Sequence, residues 1–399
     1  MLPFVRENRL ALAVPLFAVA YGTNVSTPLL LLYKNELQLS TWTVTALFAI
    51  YPLGLAPALA YSGPASDVLG RKRILFPGLV LSGLASAVML AGAHSTALLF
   101  TGRLLLGAVS GMVFVVASAW MQEISRDAPL WAARLTGLAV YGGFGLGPLF
   151  SGILGEWGPA PLATPYLVHV GLILVSLITL RDVPETVKPD PTRTIRPRLG
   201  IPVHSRRAFR SLVVPAALGV FGVASLGYGL FPVLLQPAMA SIAVFVTGLM
   251  GGLSMASIVP VQALVGRIGP HRSAPPGLAL GALGCLLGTL AFVTGAWPLL
   301  FPAAIAIGSG SGLSMTSGLR FVDLLCEPAD RGAMTGAFYA VAYAGMTMPV
   351  LVASLAVGGN YTGLLIGLTV AAAVGAIWLH RVAPGFALDP LESKPDHRE

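Results

Sequence analysis

A chain of 399 residues that is 55% hydrophobic and only 10% charged, with a mean hydropathy of +0.81, carries more apolar surface than a soluble fold can bury. Its net charge of +8 comes from basic residues scattered over short segments. A nucleic-acid-binding module would gather them on one face, so the dispersal points instead to anionic membrane lipid as the partner. Two cysteines, Cys285 in an apolar stretch and Cys326 in a polar connection, support neither a disulfide framework nor a metal site, and no cofactor is expected. A window of about 20 residues, the length that crosses a hydrocarbon core, finds candidate spans near 9–33, 41–62, 73–93, 97–121, 131–155, 162–181, 211–235, 241–265, 273–294, 297–319, 332–356 and 361–381. The first is too long for a signal peptide, and Tyr21, Asn24 and Pro28 leave no small-residue cleavage site, so it is expected to be retained. The 47 glycines and 31 prolines lie mostly inside these spans, where close helix packing and helix breaks are tolerated.

Between the second and third spans, Gly63 to Arg73 read GPASDVLGRKR, a short polar connection that must sit at a membrane surface. Its consecutive cations Arg71, Lys72 and Arg73 place that surface in the cytoplasm. Twelve spans put both termini and every second loop on the same side. All of the 24 Lys and Arg residues except Lys34 and Arg103 then fall on it, an alternation that a missed helix would scramble. Both termini are therefore expected in the cytoplasm.

The longest polar stretch, Arg181 to Arg210, holds Pro184, Pro189, Pro191, Pro197 and Pro202 with clustered arginines, and reads as an extended or flexible connector. Across it the halves echo each other at an offset of about 200 residues: Val14-Pro15 with Val214-Pro215, Glu123 with Asp323, and Arg134-Leu-Thr-Gly137 with the run from Arg331 to Gly336. The expected architecture is an all-α membrane protein, with a six-helix bundle over 1–181, a basic connector over 182–210, a second bundle over 211–383 and a cytoplasmic tail over 384–399. In such parallel-repeat plans a substrate site forms between the halves near the bilayer midplane.

The spacing of Gly63, Asp67, Gly70, Arg71 and Lys72 resembles the signature turn of the major facilitator superfamily of transporters, with Ala65 and Val68 as departures from its usual leucine and basic residue. The resemblance implies that Asp67 and Arg71 join an acid at the end of the fourth span, where Glu123 stands, in a charge cluster that breaks when the cytoplasmic mouth opens. Gly266, Gly269, His271 and Arg272 look like an eroded second copy without the aspartate. Arg103, about six residues into the fourth span, starts roughly 9 Å below the membrane boundary. It either snorkels to that boundary or serves coupling or substrate binding. Proton-coupled drug antiporters of the superfamily carry an arginine in this setting, with glutamine where Leu106 stands. In the fifth span, Gly143, Gly147, Pro148 and Gly152 resemble the glycine-proline signature of the antiporter branch, with Ser151 replacing one glycine. GxxxG spacing permits close helix approach and proline bends the helix.

All 16 Asp and Glu residues lie in termini, connections or helix ends, so no carboxylate sits deep in a span as an obvious proton carrier. Asp67, Glu123, Glu156 and His169 remain as titratable candidates, with a hydrogen-bonded structural role the alternative for His169. Candidate cavity contacts, on the spans that line the cavity in this superfamily, are Tyr21, Asn24, Tyr141, Tyr228, Gln236, Tyr339 and Tyr343. Met250, Met255, Met315, Met346 and Met348 would suit an adaptable apolar wall. The expected function is a monomeric, alternating-access secondary transporter in the cell membrane that exports a small drug-like or metabolite solute, with protons as the candidate counter-ion. The alternatives are a uniporter or importer of a polar metabolite such as a sugar, and a non-transporting sensor or scaffold. An enzyme would need convergent His, Asp or Glu residues within the spans, and ATP-driven pumping would need a phosphate-binding loop; the chain shows neither.

Overall fold

The computed structural model describes residues 3–190, 192, 194–195, 200–327 and 330–386, without the side chains of 3–6 and 357. Pro191, Arg193, Arg196, Pro197 and Arg198 of the connector, the Arg6 side chain, and tail residues 387–399 with Lys394 and Arg398 lie outside the described residues. The described chain is helical, as hydrocarbon demands of a backbone that must satisfy its own hydrogen bonds. In the first half run α1 (Pro3–Glu36), α2 (Thr41–Leu69), α3 (Arg71–Ala91), α4 (Thr96–Glu123), α5 (Pro129–Trp157) and α6 (Thr164–Thr179). In the second run α7 (Val214–Gly229 continued by Phe231–Met239), α8 (Ala243–Ile268), α9 (Pro270–Thr294), α10 (Leu300–Leu325), α11 (Arg331–Leu355) and α12 (Tyr361–Val382).

The stretch Val203–Ile268 is nearly all helical over 66 residues, which at about 1.5 Å per residue is roughly three times the hydrocarbon thickness. It holds two crossings, reversed at Ala240, whose φ of 49° turns the chain between α7 and α8. Three other helices break just ahead of a proline: α2 at Ile50 before Pro52, α7 at Leu230 before Pro232, and α11 at Gly345–Thr347 before Pro349. Proline lacks the amide that would continue the ladder, so each break follows from the sequence.

The sequence reading set a polar connection between spans near 41–62 and 73–93, and the resemblance implied that Asp67 ends the second helix and Arg71 starts the third. In the structure α2 continues through Leu69, and Gly70 alone, at φ 99° and ψ 152°, joins it to α3. Gly269 takes nearly the same backbone, φ 79° and ψ 163°, between α8 and α9. The second copy of the turn has thus lost its aspartate but kept its shape, which only glycine adopts freely. The start of the connector is docked on the first bundle: Val183 is buried, Trp120 Nε1 donates to Pro184 O at 3.0 Å, and Asp190 N donates to Val68 O at 2.9 Å.

Within the first half α1 packs on α5 and α6, and α4 on α2 and α3; in the second α7 packs on α11, and α10 on α8 and α9. The principal crossing between halves is α5 on α8, with α2 on α11 beside it. The apolar core is distributed unevenly along these axes. Toward the face opposite the termini one cluster draws on both halves, from Val25, Leu29 and Leu47 to Phe231, Val244 and Met250. Toward the terminal face there are two, one around Leu12, Leu75 and Trp120 and the other around Leu212, Phe321 and Phe338. The bundles share a core at one end and keep separate cores at the other. Large apolar side chains such as Leu53, Leu138, Ile178, Val293 and Val374 point outward, the surface a lipid-embedded bundle presents.

Candidate functional site

At the terminal end of the first half, Arg71 opens α3 directly after Gly70 and is buried. Its Nη2 reaches Asp67 Oδ1 at 2.7 Å and Glu123 Oε1 at 2.6 Å, and its Nε donates to Glu123 Oε2 at 3.3 Å. The pairing with Glu123 is bidentate, the geometry in which a guanidinium is strongest. The three expected members of the cluster are therefore together. Lys72 is apart from them, its Nζ donating to Arg181 O at 2.7 Å.

Sequence reasoning missed two members from the connector. Glu185 accepts the backbone N–H groups of Arg71 at 3.0 Å and Lys72 at 2.9 Å, capping the first turn of α3, and also those of Thr186 and Val187. Thr186 donates its hydroxyl to Glu123, and Ser66 accepts from Arg71. The available signal was an acid just past the sixth span in an otherwise arginine-rich stretch. In this conformation the cluster's described contacts lie within the first half and the connector docked on it.

Between the halves lies a cavity of about 430 Å³, walled by α1, α2, α4, α5, α7, α8, α10 and α11. Of the expected contacts, Asn24, Tyr141, Tyr228, Tyr339 and Tyr343 line it. Tyr21 does not: it is buried against α5, where its backbone meets Gly143 and Gly147. Nor does Gln236, which the second piece of α7 carries to the face opposite the termini, where it accepts from Lys34 Nζ at 3.3 Å and donates to Asn35 Oδ1 at 3.2 Å. Met255, Met315 and Met346 line the cavity; Met250 and Met348 pack in the shared core. Thr23, Thr27, Phe48, Tyr51, Phe144 and Phe221 also line it, and the sequence did not single them out. Phe221, Tyr343 and Tyr339 form a stacked row, with ring centroids 4.9 Å and 6.1 Å apart. Among the described residues no Asp, Glu, Lys, Arg or His lines this cavity.

Its polar groups are mostly committed. Tyr141 accepts from Gln262 across the halves at 2.6 Å, Tyr228 pairs with Ser254 at 2.8 Å and Thr23 with Ser110 at 2.8 Å. The hydroxyls of Thr27 and Thr136 have no hydrogen-bond partner among the described residues. The arrangement can take up an apolar or aromatic solute and offer it a few hydrogen bonds.

Arg103 fits neither a snorkelling role nor a seat in the cavity. It is fully buried, donating to Leu47 O at 3.0 Å, Ser26 Oγ at 3.0 Å, Thr23 O at 3.3 Å and Phe48 O at 3.5 Å. Its guanidinium lies 5.5 Å from the ring centroids of both Phe48 and Tyr51. The glycines of α5 work on two faces. A Cβ on Gly143 or Gly147 would strike the α1 backbone at Phe17 O or Tyr21 O, 2.5 Å and 2.3 Å away. Gly152 faces Gly248 of α8, where a Cβ on Gly248 would lie 2.3 Å from Pro148 O. Glu156, near the end of α5, accepts the N–H groups of Val244 and Phe245 at 3.0 and 3.1 Å at the start of α8. His169 stands inside the first bundle, bonded to Ser86 at 2.6 Å and accommodated by Gly22.

Two six-helix halves in pseudo-repeat, with a cavity between them and a lipid-facing exterior, make a membrane transporter rather than an enzyme. The chain belongs to the Major Facilitator Superfamily, whose profile matches residues 12–346. Over 189 residues it is 32% identical to the multidrug efflux pump LfrA of Mycolicibacterium smegmatis, covering 45% of this chain and 36% of that protein. Over 181 residues it is 30% identical to the multidrug resistance protein MdtL of Escherichia coli, covering 43% and 44%. The chain thus spans less than half the length of these curated relatives. In fold it matches a crystal structure of peptide transporter POT in complex with alafosfalin, with TM-score 0.78, 15% identity and 94% of each chain covered. It likewise matches nucleoside transporter NupG, with TM-score 0.73, 13% identity and coverage of 93% and 99%.

Proposed function

We propose that this protein exports a small drug-like or metabolite solute across the cell membrane by alternating access, as a monomer, with both termini cytoplasmic. The observation that carries the reading is the divided core: bundles joined at one end and separate at the other, around an uncharged aromatic cavity, are what a rocking carrier needs. On the proposed orientation the conformation is inward-facing, with the extracellular end closed by the α5–α8 crossing and the ties of Gln236 and Glu156. Export is favoured by the efflux function named for the relatives, and a sugar-like substrate is disfavoured by a wall with few free polar groups. Asp67, Arg71 and Glu123, with Gly70 and Glu185, would hold the cytoplasmic ends of α2, α3 and α4 as one body while the halves move. If protons are exchanged, the carboxylate that takes them lies outside the cavity wall, with Glu156 the candidate nearest the crossing of the halves.

Sealed vesicles containing the purified protein test this directly. Saturable movement of a lipophilic aromatic solute, abolished in Gly248→Leu, is the expected result. Flux that rises with an imposed pH gradient adds proton exchange. Binding without flux under every gradient would replace the transporter by the sensor reading.

A further inference from the structure

Behind the cavity wall lies a buried cation with no counter-ion among the described residues. Arg103 is 1% exposed, and its partners are three peptide carbonyls and the Ser26 hydroxyl. Carbonyls and hydroxyls solvate a guanidinium but leave its charge in place, and arginine does not shed its proton. Phe48 and Tyr51 line the cavity while Arg103 does not, and its guanidinium lies 5.5 Å from the centroid of each ring.

We propose that the cavity selects uncharged aromatic solutes over aromatic cations, and that Arg103 sets this discrimination. The proposal rests on the reading of the cavity as the substrate site. A solute stacked on the inner faces of Phe48 or Tyr51 comes within about 9 Å of the guanidinium, where at an effective dielectric of about 20 a second positive charge loses roughly twentyfold in affinity. Those two rings already hold a cation 5.5 Å from their centroids, so the π electrons that usually attract aromatic cations are engaged. No carboxylate among the described lining residues offsets the repulsion. Binding then draws on the stacked row of Phe221, Tyr343 and Tyr339, with the unpartnered Thr27 hydroxyl, itself 6% exposed, as a hydrogen-bonding anchor for a carbonyl or hydroxyl of the solute.

A matched naphthalene series tests this with the purified full chain in detergent. The probes are 2-naphthylmethanol, 2-naphthoate and 2-naphthylmethyl-trimethylammonium, with Kd measured by calorimetry. The alcohol should bind at least tenfold more tightly than the ammonium, and the carboxylate, which meets the same field with the opposite sign, should also bind more tightly than the ammonium. Arg103→Gln should bring the alcohol and ammonium within about threefold. Because that variant also loses support for α2, Asn24→Asp gives an independent arm: a carboxylate on the wall should improve ammonium binding at least tenfold. An ammonium that binds the unaltered protein as tightly as the alcohol, a carboxylate that binds no better than the ammonium, or a folded protein that binds none of the three overturns the proposal. Equal affinities with vesicle flux intact would overturn selectivity alone, whereas ranked affinities without flux would overturn the transporter reading alone.

Discussion

The Nε of Arg103 donates to the carbonyl of Leu47 at 3.0 Å, at the point where α2 breaks ahead of Pro52. Pro52 also deprives Phe48 O, four residues earlier, of its helical donor, and Arg103 Nη2 approaches that oxygen at 3.5 Å. The same arrangement recurs at other prolines. Pro148 frees Phe144 O, met by Asn24 Nδ2 at 3.4 Å; Pro349 frees Gly345 O, met by Ser225 Oγ at 3.2 Å; Pro15 frees Ala11 O, met by Thr179 Oγ1 at 3.4 Å. Carbonyls that these prolines leave without a helical donor are thus met by side chains of neighbouring helices, as a low-dielectric interior requires.

Arg103→Ala should therefore destabilise the fold. It leaves carbonyls at the α2 break without donors, at a cost of about 2–4 kcal/mol. Asn24→Leu, which removes a single neutral donor, should cost about 0.6 kcal/mol. Thermal unfolding in one detergent should rank unaltered protein, Asn24→Leu and Arg103→Ala in falling order. An Arg103→Ala protein as stable as the unaltered one would return the residue to a purely electrostatic role.

A second prediction concerns the turn at Gly70. Its positive φ already disfavours any other residue, and a Cβ there would come within 3.1 Å of Glu185 Oε2. Glu185→Ala removes the cap of α3 and should cost about 1–2 kcal/mol. It should also free the start of the connector, so limited proteolysis near 183–190 should quicken. Unchanged protease sensitivity would mean that the docking does not depend on this carboxylate.

The spans were readable because hydrocarbon acts on whole segments, and the breaks in α2, α7 and α11 fall just ahead of prolines that lack an amide. The backbone copy at Gly269 was readable as a glycine in register with Gly70. The contents of the cavity were only partly readable. Tyr21 and Asn24 stand three positions apart on a helix that is apolar on most sides, and nothing in its composition tells which faces α5 and which the cavity. Gln236 was misplaced because the break at Leu230 carries the second piece of α7 to the far face. Glu185 was missed because its role depends on a connector folding back, which local sequence does not encode. Arg103 was recognisable as a charge out of place, but its partners are backbone carbonyls, visible in sequence only as the proline that follows them.

Closure at the face opposite the termini depends on α5 meeting α8 at backbone distance. Gly152 and Gly248 meet there, and a side chain on Gly248 would collide with Pro148 O rather than with a movable side-chain end. Gly248→Leu should hold the halves apart at this end while leaving each bundle intact. Flux should fall at least tenfold, with expression and membrane insertion close to those of the unaltered protein. Spin labels at Trp42 and Ser354, which are hydrogen-bonded across the halves at 2.9 Å, should report a longer distance distribution. A variant with normal flux and an unchanged distribution would show that the crossing tolerates the added volume.

Glu156 tests the same closure by charge. Its carboxylate accepts from the first amides of α8, where the helix dipole favours a negative group. Glu156→Gln keeps the size and one acceptor but loses the charge, which should weaken closure by about 0.5–1 kcal/mol. That shift changes the ratio of closed to open forms roughly two- to fivefold, within reach of the Trp42–Ser354 distance measurement. A distribution in Glu156→Gln that matches that of the unaltered protein would show that closure does not depend on this charge.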